Sequence, residues 1–534
     1  MTSCGGGWNR YGTHMRKALV VSDKRSIIVR DSTPERILTV IPTAKRMLYK
    51  GVNLVVVPHA LDETIVLNNM GYDIPSPVTQ YYNWPSRYPN PLYAQVVTAS
   101  NLTMSKRHFV LNDLGTGKTL STLWAFDYLR SIGHAKSMLV VTPLSTMETV
   151  WANEMWEHLP HLQYQVLYGS AAKRVGQLAF PADVYIINHD GLKVPEILRA
   201  LTARKDIDVL CVDELADFKN AGTDRWKALK VLVEGRKYFW GLTGTPIPNK
   251  VTDAWAQCRL VNPSKVPQYF GKFRDLVMRQ VSQYKWVPRD NALEIVKDAM
   301  QPATLFRRDE CVDLPPTMYV SRYVPMTDDQ NKAYKQMMNS LVAEAGQGQI
   351  VAVNEAVKMG KLVQIACGAA YGPDGEVLYI KSDTRTDELK GLIEASQGKV
   401  IVFIALTGGL HSVAEELGKT WKTEVVHGGV SKNERVRIFE DFKSPGGVHV
   451  IVAHPRCMAH GLTLVSANTI IWYIPTNNPN EYTQANGRIT RPGQTRSTFI
   501  VHLEGSEVER RMYKKLKDKE QIQGTLLELI KEDM

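Results

Sequence analysis

The sequence is poor in paired cysteine. Its six cysteines, Cys4, Cys211, Cys258, Cys311, Cys367 and Cys457, lie far apart with no CxxC spacing. This excludes a zinc ribbon and a dense disulfide framework and points to a reducing compartment. Long apolar runs are also missing: the longest, such as Val400 to Leu406, fall far short of the roughly 18 residues that suggest a membrane span. The opening MTSCGGGWNR lacks the apolar core of a signal peptide, so neither secretion nor membrane anchoring is expected. There is no fixed-period repeat and no low-complexity tract, which excludes solenoids and fibrous arrays. What is present belongs to a folded chain: 44% hydrophobic and 22% charged residues over 534 positions, or three to four domains at roughly 150 residues each. Lys+Arg exceed Asp+Glu by 65 to 54, a net +11, an excess that favours a polyanionic partner.

Patterning divides the chain. Residues 1–25, rich in Gly and polar groups, read as a loose leader, and 26–85, with β-rich runs SIIV, ILTVI and NLVVV, as a small α/β accessory domain. The stretch YYNWPSRYPNP marks a boundary. Beyond it, short apolar strands (FVL at 109, MLVVT at 138, VYIIN at 184, VLCVD at 209, YFWGLTG at 238) alternate with helix-length segments, predicting a parallel sheet covered on both faces over 86–310. A second set (KVIVFIA at 399, TEVVH at 423, VHVIVA at 448, TIIWYI at 469, TFIVHL at 498) predicts another such lobe over 311–505. In the tail, 506–534, Val508, Met512 and Leu516 keep helical spacing among basic residues, which predicts a solvated helix packed on the second lobe.

The segment FVLNDLGTGKTLSTLWAFDYL runs from a strand through Gly115, Thr116, Gly117, Lys118 and Thr119 into an apolar-periodic helix. This is the context of a phosphate loop: glycines let backbone N–H groups close on phosphate oxygens, Lys118 supplies a charge to the β- and γ-phosphates, and Thr119 can ligate Mg²⁺. Asn112 stands where the strict motif has its first Gly. In VLCVDELADFKN, Asp213 at a strand end can hold Mg²⁺ through water, and Glu214 can orient and deprotonate an attacking water. Thr243 and Thr245 of WGLTGTPIPN are hydroxyl donors able to couple phosphate state to lobe movement. In YTQANGRITRPGQT, the spacing of Gln484, Arg488 and Arg491 by four and three predicts one helical face. A nucleotide held by the other lobe gives these arginines a use as arginine fingers.

From residue 90 to residue 515 this ordered set resembles the Swi/Snf branch of superfamily-two helicases, motors on double-stranded DNA. PLYAQ with Gln95 is similar to the adenine-sensing segment, and LVVTPLSTMETVWANEM with Trp151 to the motif that follows. VDELADFKN matches at Asp213, Glu214, Lys219 and Asn220, and LTGTPIPN nearly throughout. VDLPP at 312, PMTDDQNKAY at 325, VVHGGVSKNER at 425 and TNNPNEYTQANGRITRPGQ at 476 continue the series. The resemblance implies two RecA-like lobes with parallel sheets, a P-loop NTPase architecture, with ATP and Mg²⁺ between them. It also implies coupling through Gly461 and DNA contacts at Thr142, Asn188 and Arg456. Ala216 departs from the family's usual His in the acidic box, so the customary link from that box to neighbouring motifs is expected to be absent. Ile404, Ala405, Thr463, Ile474 and Asn477 are further departures in lobe two.

The expectation is therefore a compact bacterial or viral ATPase tracking double-stranded or branched DNA, in the cytoplasm of a bacterium or infected host cell, or in the nucleus if eukaryotic. The N-terminal domain could serve a protein partner, and no oligomeric state is indicated. Two alternatives remain open: a strand-separating helicase on forks or tailed duplexes, and an ATP-gated DNA clamp with little hydrolysis. Retention of Lys118, Glu214, Arg488 and Arg491 speaks against the clamp.

Overall fold

The computed structural model describes residues 18–532 except 88–89, 284, 312–313, 346–347, 353–354 and 459–462. Most of the leader expected over 1–25 lies outside the described residues. Strands β1 (Ala18–Val21), β2 (Ser26–Val29), β3 (Lys45–Tyr49) and β4 (Val52–Pro58) form an antiparallel sheet in the order β1-β2-β4-β3. The sheet thus begins inside the segment expected to be loose. Ile27, Val29, Val55 and Val57 alternate onto one face and close a small core with Ile37 and Leu67. The expected accessory domain does not end cleanly at 85. Leu61 is buried in the core of the next domain, Tyr82 Oη donates to Asp127 Oδ2 at 2.6 Å, and Trp124 Nε1 donates to the Pro85 carbonyl at 2.7 Å.

Lobe one contains β5 (Arg107–Val110), β6 (Ser137–Thr142), β7 (Tyr164–Val166), β8 (Val184–Asn188), β9 (Ile207–Asp213) and β10 (Tyr238–Leu242). A hairpin, β11 (Met278–Ser282) and β12 (Lys285–Pro288), precedes the short β13 (Ala303–Thr304). The parallel sheet runs β13-β5-β10-β9-β6-β8-β7. Along β6, Leu139 and Val141 enter one core and Met138 and Val140 the other, so the unbroken apolar run is the signature of burial on both faces. Each such side chain contributes about 1.5–3 kcal/mol of burial, so a one-residue slip, which exchanges the two faces, is strongly disfavoured.

Lobe two begins with β14 (Thr317–Tyr323) and carries two hairpins, β15 (Val342–Ala345) with β16 (Gly348–Val351) and β17 (Ala369–Tyr371) with β18 (Val377–Tyr379). Its remaining strands are β19 (Lys399–Phe403), β20 (Thr423–Val426), β21 (Val450–Ala453), β22 (Ala467–Trp472) and β23 (Thr498–Glu504), in a parallel sheet β14-β23-β22-β19-β21-β20. Val400 and Val402 face one core, Ile401 and Phe403 the other. Two RecA-like lobes with a small N-terminal domain is therefore the architecture.

The tail corrects its expectation. The helix Glu507–Glu532 starts on lobe two, where Glu509 pairs with the fully buried Arg385 at 2.6 Å and Val508, Tyr513 and Leu516 join that lobe's cores. Farther along, Leu526, Leu527 and Ile530 lie in the core of lobe one. One helix spans both lobes because its apolar stripe continues past the point where the second lobe ends. Among the described residues no helix is long and apolar enough to cross a membrane.

Candidate active site

The phosphate loop leaves β5 and enters the helix Lys118–Ser131 through Gly115 (φ +87°) and Gly117 (φ +77°), left-handed conformations that glycine adopts without strain. A Cβ on Gly117 would lie 2.2 Å from Gln95 Nε2, so the glycine also makes room for the Gln95 amide. Gln95 Oε1 accepts the Leu92 N–H at 2.9 Å, fixing that side chain beside the loop. Thr116 is buried and donates to the Asp113 carbonyl at 2.9 Å. Lys118 Nζ folds back onto the carbonyls of Asn112 (2.6 Å) and Asp113 (3.0 Å). Burial lowers the Lys118 pKa, against the opposing pull of Glu214, Asp213 and Asp113. Thr119 follows in the first helical turn.

The acidic pair closes the far side. Asp213 Oδ2 accepts from Thr142 Oγ1 and from Trp151 Nε1, each at 3.0 Å, while Oδ1 accepts from the Glu214 N–H at 3.1 Å. Glu214 sits at φ +54°, a conformation that costs a non-glycine residue on the order of 1–3 kcal/mol and is held by the buried strand behind it. Burial and the neighbouring Asp213 push its carboxyl up to about 8. Ala216 forms no side-chain link, and the acidic box is joined to the segment after β8 through His189. His189 Nε2 donates to the Asp213 carbonyl at 2.9 Å and its Nδ1 lies 3.4 Å from Asp217, while Ala216 is simply buried. Ile404 and Ile474 are likewise core residues of lobe two.

Lobe two faces this set. Gln484 (2% exposed) and Arg488 (1% exposed) are buried at the cleft. Burial and the nearby Arg491 lower the Arg488 pKa, and Glu214 across the cleft opposes that. Arg491 is pushed down to about 10 by burial and by the charge of Arg308. The expected single helical face does not form. The helix Pro479–Asn486 ends before the arginines; Pro492 has no N–H to continue it, and Leu464 N–H donates to the Arg488 carbonyl at 3.0 Å. Arg491 Nε donates to the Gly487 carbonyl and Nη1 to Thr463 Oγ1, both at 3.2 Å.

Thr243 and Thr245 lie at the exit of β10, where Thr243 N–H donates to the Val110 carbonyl at 2.9 Å and Thr245 N–H to Thr243 Oγ1 at 3.1 Å. Thr245 Oγ1 crosses to Asn480 Oδ1 of lobe two at 2.9 Å. A cavity of about 300 Å³ lies between the lobes, lined by Leu114, Glu214, Gly244, Gln484, Glu520 and Gln523. Sequence reading missed the last two. Gln523 Nε2 donates to the Gly244 carbonyl at 3.0 Å and Thr483 Oγ1 to Glu520 Oε1 at 2.9 Å, so the C-terminal helix is a wall of the cleft. It also missed Arg308, although the basic pair in FRRDE, ahead of VDLPP, was visible.

A second interlobe cleft, about 590 Å³, holds two of the three expected DNA contacts, Asn188 and Arg456, with Arg225, Lys432 and Arg435. Asn188 Oδ1 accepts Arg174 Nη1 at 2.8 Å, and Arg456 is exposed, 3.9 Å from Glu481. Thr142 is a correction: it is fully buried, with its hydroxyl on Asp213 and Thr146, and lines neither cleft. Gly461 lies outside the described residues.

A lysine loop and an acidic pair on one RecA-like lobe, opposed by arginines on the other, define a two-lobed P-loop nucleoside triphosphatase. The sequence matches the SNF2-related domain over residues 99–367 and the helicase conserved C-terminal domain over 384–493. The chain belongs to the SNF2-related family and is an ATP hydrolase of compact build. It is 26% identical over 461 residues to protein p41 of Acyrthosiphon pisum secondary endosymbiont phage 1, covering 82% of this chain and 98% of that protein. It is also 26% identical over 423 residues to the ATP-dependent helicase/translocase YwqA of Bacillus subtilis, covering 73% of this chain and 43% of YwqA, so it spans less than half of that relative. Among solved structures, the Sulfolobus solfataricus SWI2/SNF2 ATPase core in complex with dsDNA matches at 23% identity and TM-score 0.39, covering 84% of this chain and 96% of that one.

Proposed function

We propose that this protein is a DNA-dependent ATPase that translocates along double-stranded DNA. The observation that carries the reading is the apposition of Lys118 and Glu214 of lobe one with Arg488 and Arg491 of lobe two, beside a separate interlobe cleft that carries Arg225, Arg435 and Arg456. The helicase/translocase name of YwqA supports it.

The residues fit ATP. Among the described residues Lys118 Nζ has only carbonyl oxygens as hydrogen-bond partners, which phosphate oxygens can replace, and Gln484 Nε2 is buried at the cleft with no partner. Helix N–H groups behind Gly115 and Gly117 favour the triphosphate, and Gln95, whose amide packs against Gly117, is the proposed contact to the adenine. Thr119 and Asp213 are hard oxygen donors that suit Mg²⁺, which when bound offsets phosphate charge. Glu214 orients and deprotonates the attacking water, and Arg488 and Arg491 meet the charge that develops on the transferred phosphoryl group. Thr245 and Asn480 carry the change in phosphate state to lobe two. Asn188, Arg435 and Arg456 grip backbone phosphates, a contact indifferent to base sequence.

Branched DNA in replication, recombination or repair is the proposed setting, because a motor migrating a branch regains behind it the base pairs lost ahead. The N-terminal sheet, with Leu19, Leu48 and Tyr49 exposed, is the proposed platform for a protein partner. The test follows ATPase rate and labelled-strand release on duplex, single-stranded and branched DNA, a triplex and a tailed duplex. Stimulation by duplex and displacement of the third strand are expected. Rapid release from the tailed duplex, with stimulation by single strands alone, would replace this reading with a strand-separating helicase.

A further inference from the structure

Arg308 stands where the phosphate loop and the arginine turn meet. Its backbone N–H donates to Asp113 Oδ2 at 3.1 Å. Two flanking bonds fix the same segment to the loop: Asp113 N–H to the Phe306 carbonyl and Phe306 N–H to Asn112 Oδ1, both at 3.0 Å. Asn112, which departs from the strict phosphate-loop pattern, thus has a use that a glycine could not fill. A Cβ on Gly115 would lie 3.6 Å from Pro492 Cδ and 4.0 Å from Arg308 Cδ, so loop, Arg308 and arginine turn are in mutual contact.

The Arg308 side chain then crosses the cleft. Its Nη1 donates to the Thr490 carbonyl at 2.9 Å and to Thr490 Oγ1 at 2.6 Å. Thr490 lies between Arg488 and Arg491, in a stretch that no helix stiffens because the helix ends at Asn486. Two acceptors of one residue on one guanidinium nitrogen fix the direction of that turn as well as its distance. The lowered Arg491 pKa, to which the Arg308 charge contributes, reports the same proximity.

We propose that Arg308 is a positioning residue that ties the phosphate loop to the arginine turn, so that lobe closure delivers Arg488 and Arg491 in register with the γ-phosphate. The proposal rests on the reading of those two arginines as groups of the ATP site. It differs from a direct phosphate contact by Arg308, which would act on ground-state binding as well.

The experiment measures DNA-stimulated kcat, KM for ATP and melting temperature of the full chain for Arg308→Ala, Thr490→Val, Arg491→Ala and the two double variants with Arg308→Ala. Misplacing a reacting group by an ångström costs about 10²-fold, so Arg308→Ala is expected to lower kcat by about that factor with little change in KM or melting temperature. Thr490→Val, which keeps the carbonyl acceptor, is expected to fall less. Each double variant is expected to be no slower than its slower parent, because both changes break one chain of contacts. Should Arg308→Ala fail to fold, Arg308→Gln, which keeps a polar side chain, is read the same way. Wild-type kcat, multiplicative losses in the doubles, or a raised KM at unchanged kcat overturns the proposal. Arg491→Ala separates the two failures: if it hydrolyses as wild type, the reading of the turn as part of the ATP site fails; if it is inactive while Arg308→Ala turns over as wild type, only the positioning role fails.

Discussion

In lobe one Asp213, Lys118 and Gln95 are held by that lobe's own fold: Asp213 by Thr142, Trp151 and the Glu214 N–H, Lys118 by two loop carbonyls, Gln95 by the N-terminus of its helix. In lobe two the arginines follow the end of a helix, and the turn between them is anchored by Arg308 from the other lobe. Lobe one therefore carries a preorganised half-site, whereas the arginine turn is fixed partly within lobe two, by Leu464 on the Arg488 carbonyl and by Arg491 on Gly487 and Thr463, and partly by Arg308 from across the cleft. On this basis the first half is expected to dominate nucleotide binding and the second to act in hydrolysis.

The largest effects should come from the preorganised half. Lys118→Ala and Glu214→Gln are expected to reduce DNA-stimulated ATPase nearly to background, with Glu214→Gln still binding nucleotide because only the base is lost; a filter-binding or fluorescence titration beside the rate assay checks both. In the other half, Arg491→Ala should lower turnover by roughly 10³-fold or more at nearly unchanged ATP affinity. A lowered melting temperature with intact turnover of the folded fraction would instead make this arginine structural, and the contrast between the halves would disappear.

Smaller effects sharpen the comparison. Gln523→Ala removes the bond from the C-terminal helix to the Gly244 carbonyl. It is expected to lower kcat by about tenfold, the equivalent of one hydrogen bond of about 1 kcal/mol or slightly more, and to leave DNA affinity unchanged. The smallest concerns stability, one histidine per lobe. Burial pushes His108 of lobe one down to about 3 and His502 of lobe two down to about 4, from an ordinary 6.5. Below 6.5 the unfolded chain binds protons that the folded chain refuses, so stability should fall as pH drops from 6.5 towards 4. Thermal melts across that window should show the loss, with a shallower slope in His502→Gln than in wild type.

Much of the fold was legible because buried parallel strands leave unbroken apolar runs, and those at 138, 184, 399 and 469 are strands here. The phosphate loop and the acidic pair were legible because their chemistry is local: Gly115 to Thr119 and Asp213 with Glu214 are contiguous. Reasoning from spacing failed where tertiary contacts override periodicity. Gln484, Arg488 and Arg491 had helical spacing, yet the helix ends at Asn486: Pro492 leaves the Arg488 carbonyl without an i+4 donor, and Leu464 N–H from another segment donates to it instead. Thr142 sits at a family DNA position, yet it is fully buried and its hydroxyl donates, with Trp151, to Asp213. The tail read as a helix on lobe two, and nothing local in its stripe said which of two cores Leu526 and Ile530 would enter.

The sequence by itself determined the two sheets, the side chains that can bind a triphosphate and the base beside them, because strand burial and phosphate chemistry are written in short contiguous segments. Only the tertiary structure decided that Arg308 joins Asp113 to Thr490, that His189 and Trp151 orient Asp213, and that the C-terminal helix walls the cleft. Those contacts join residues far apart in the chain, and a hydrogen bond depends on distance in space, on which separation along the sequence carries no information.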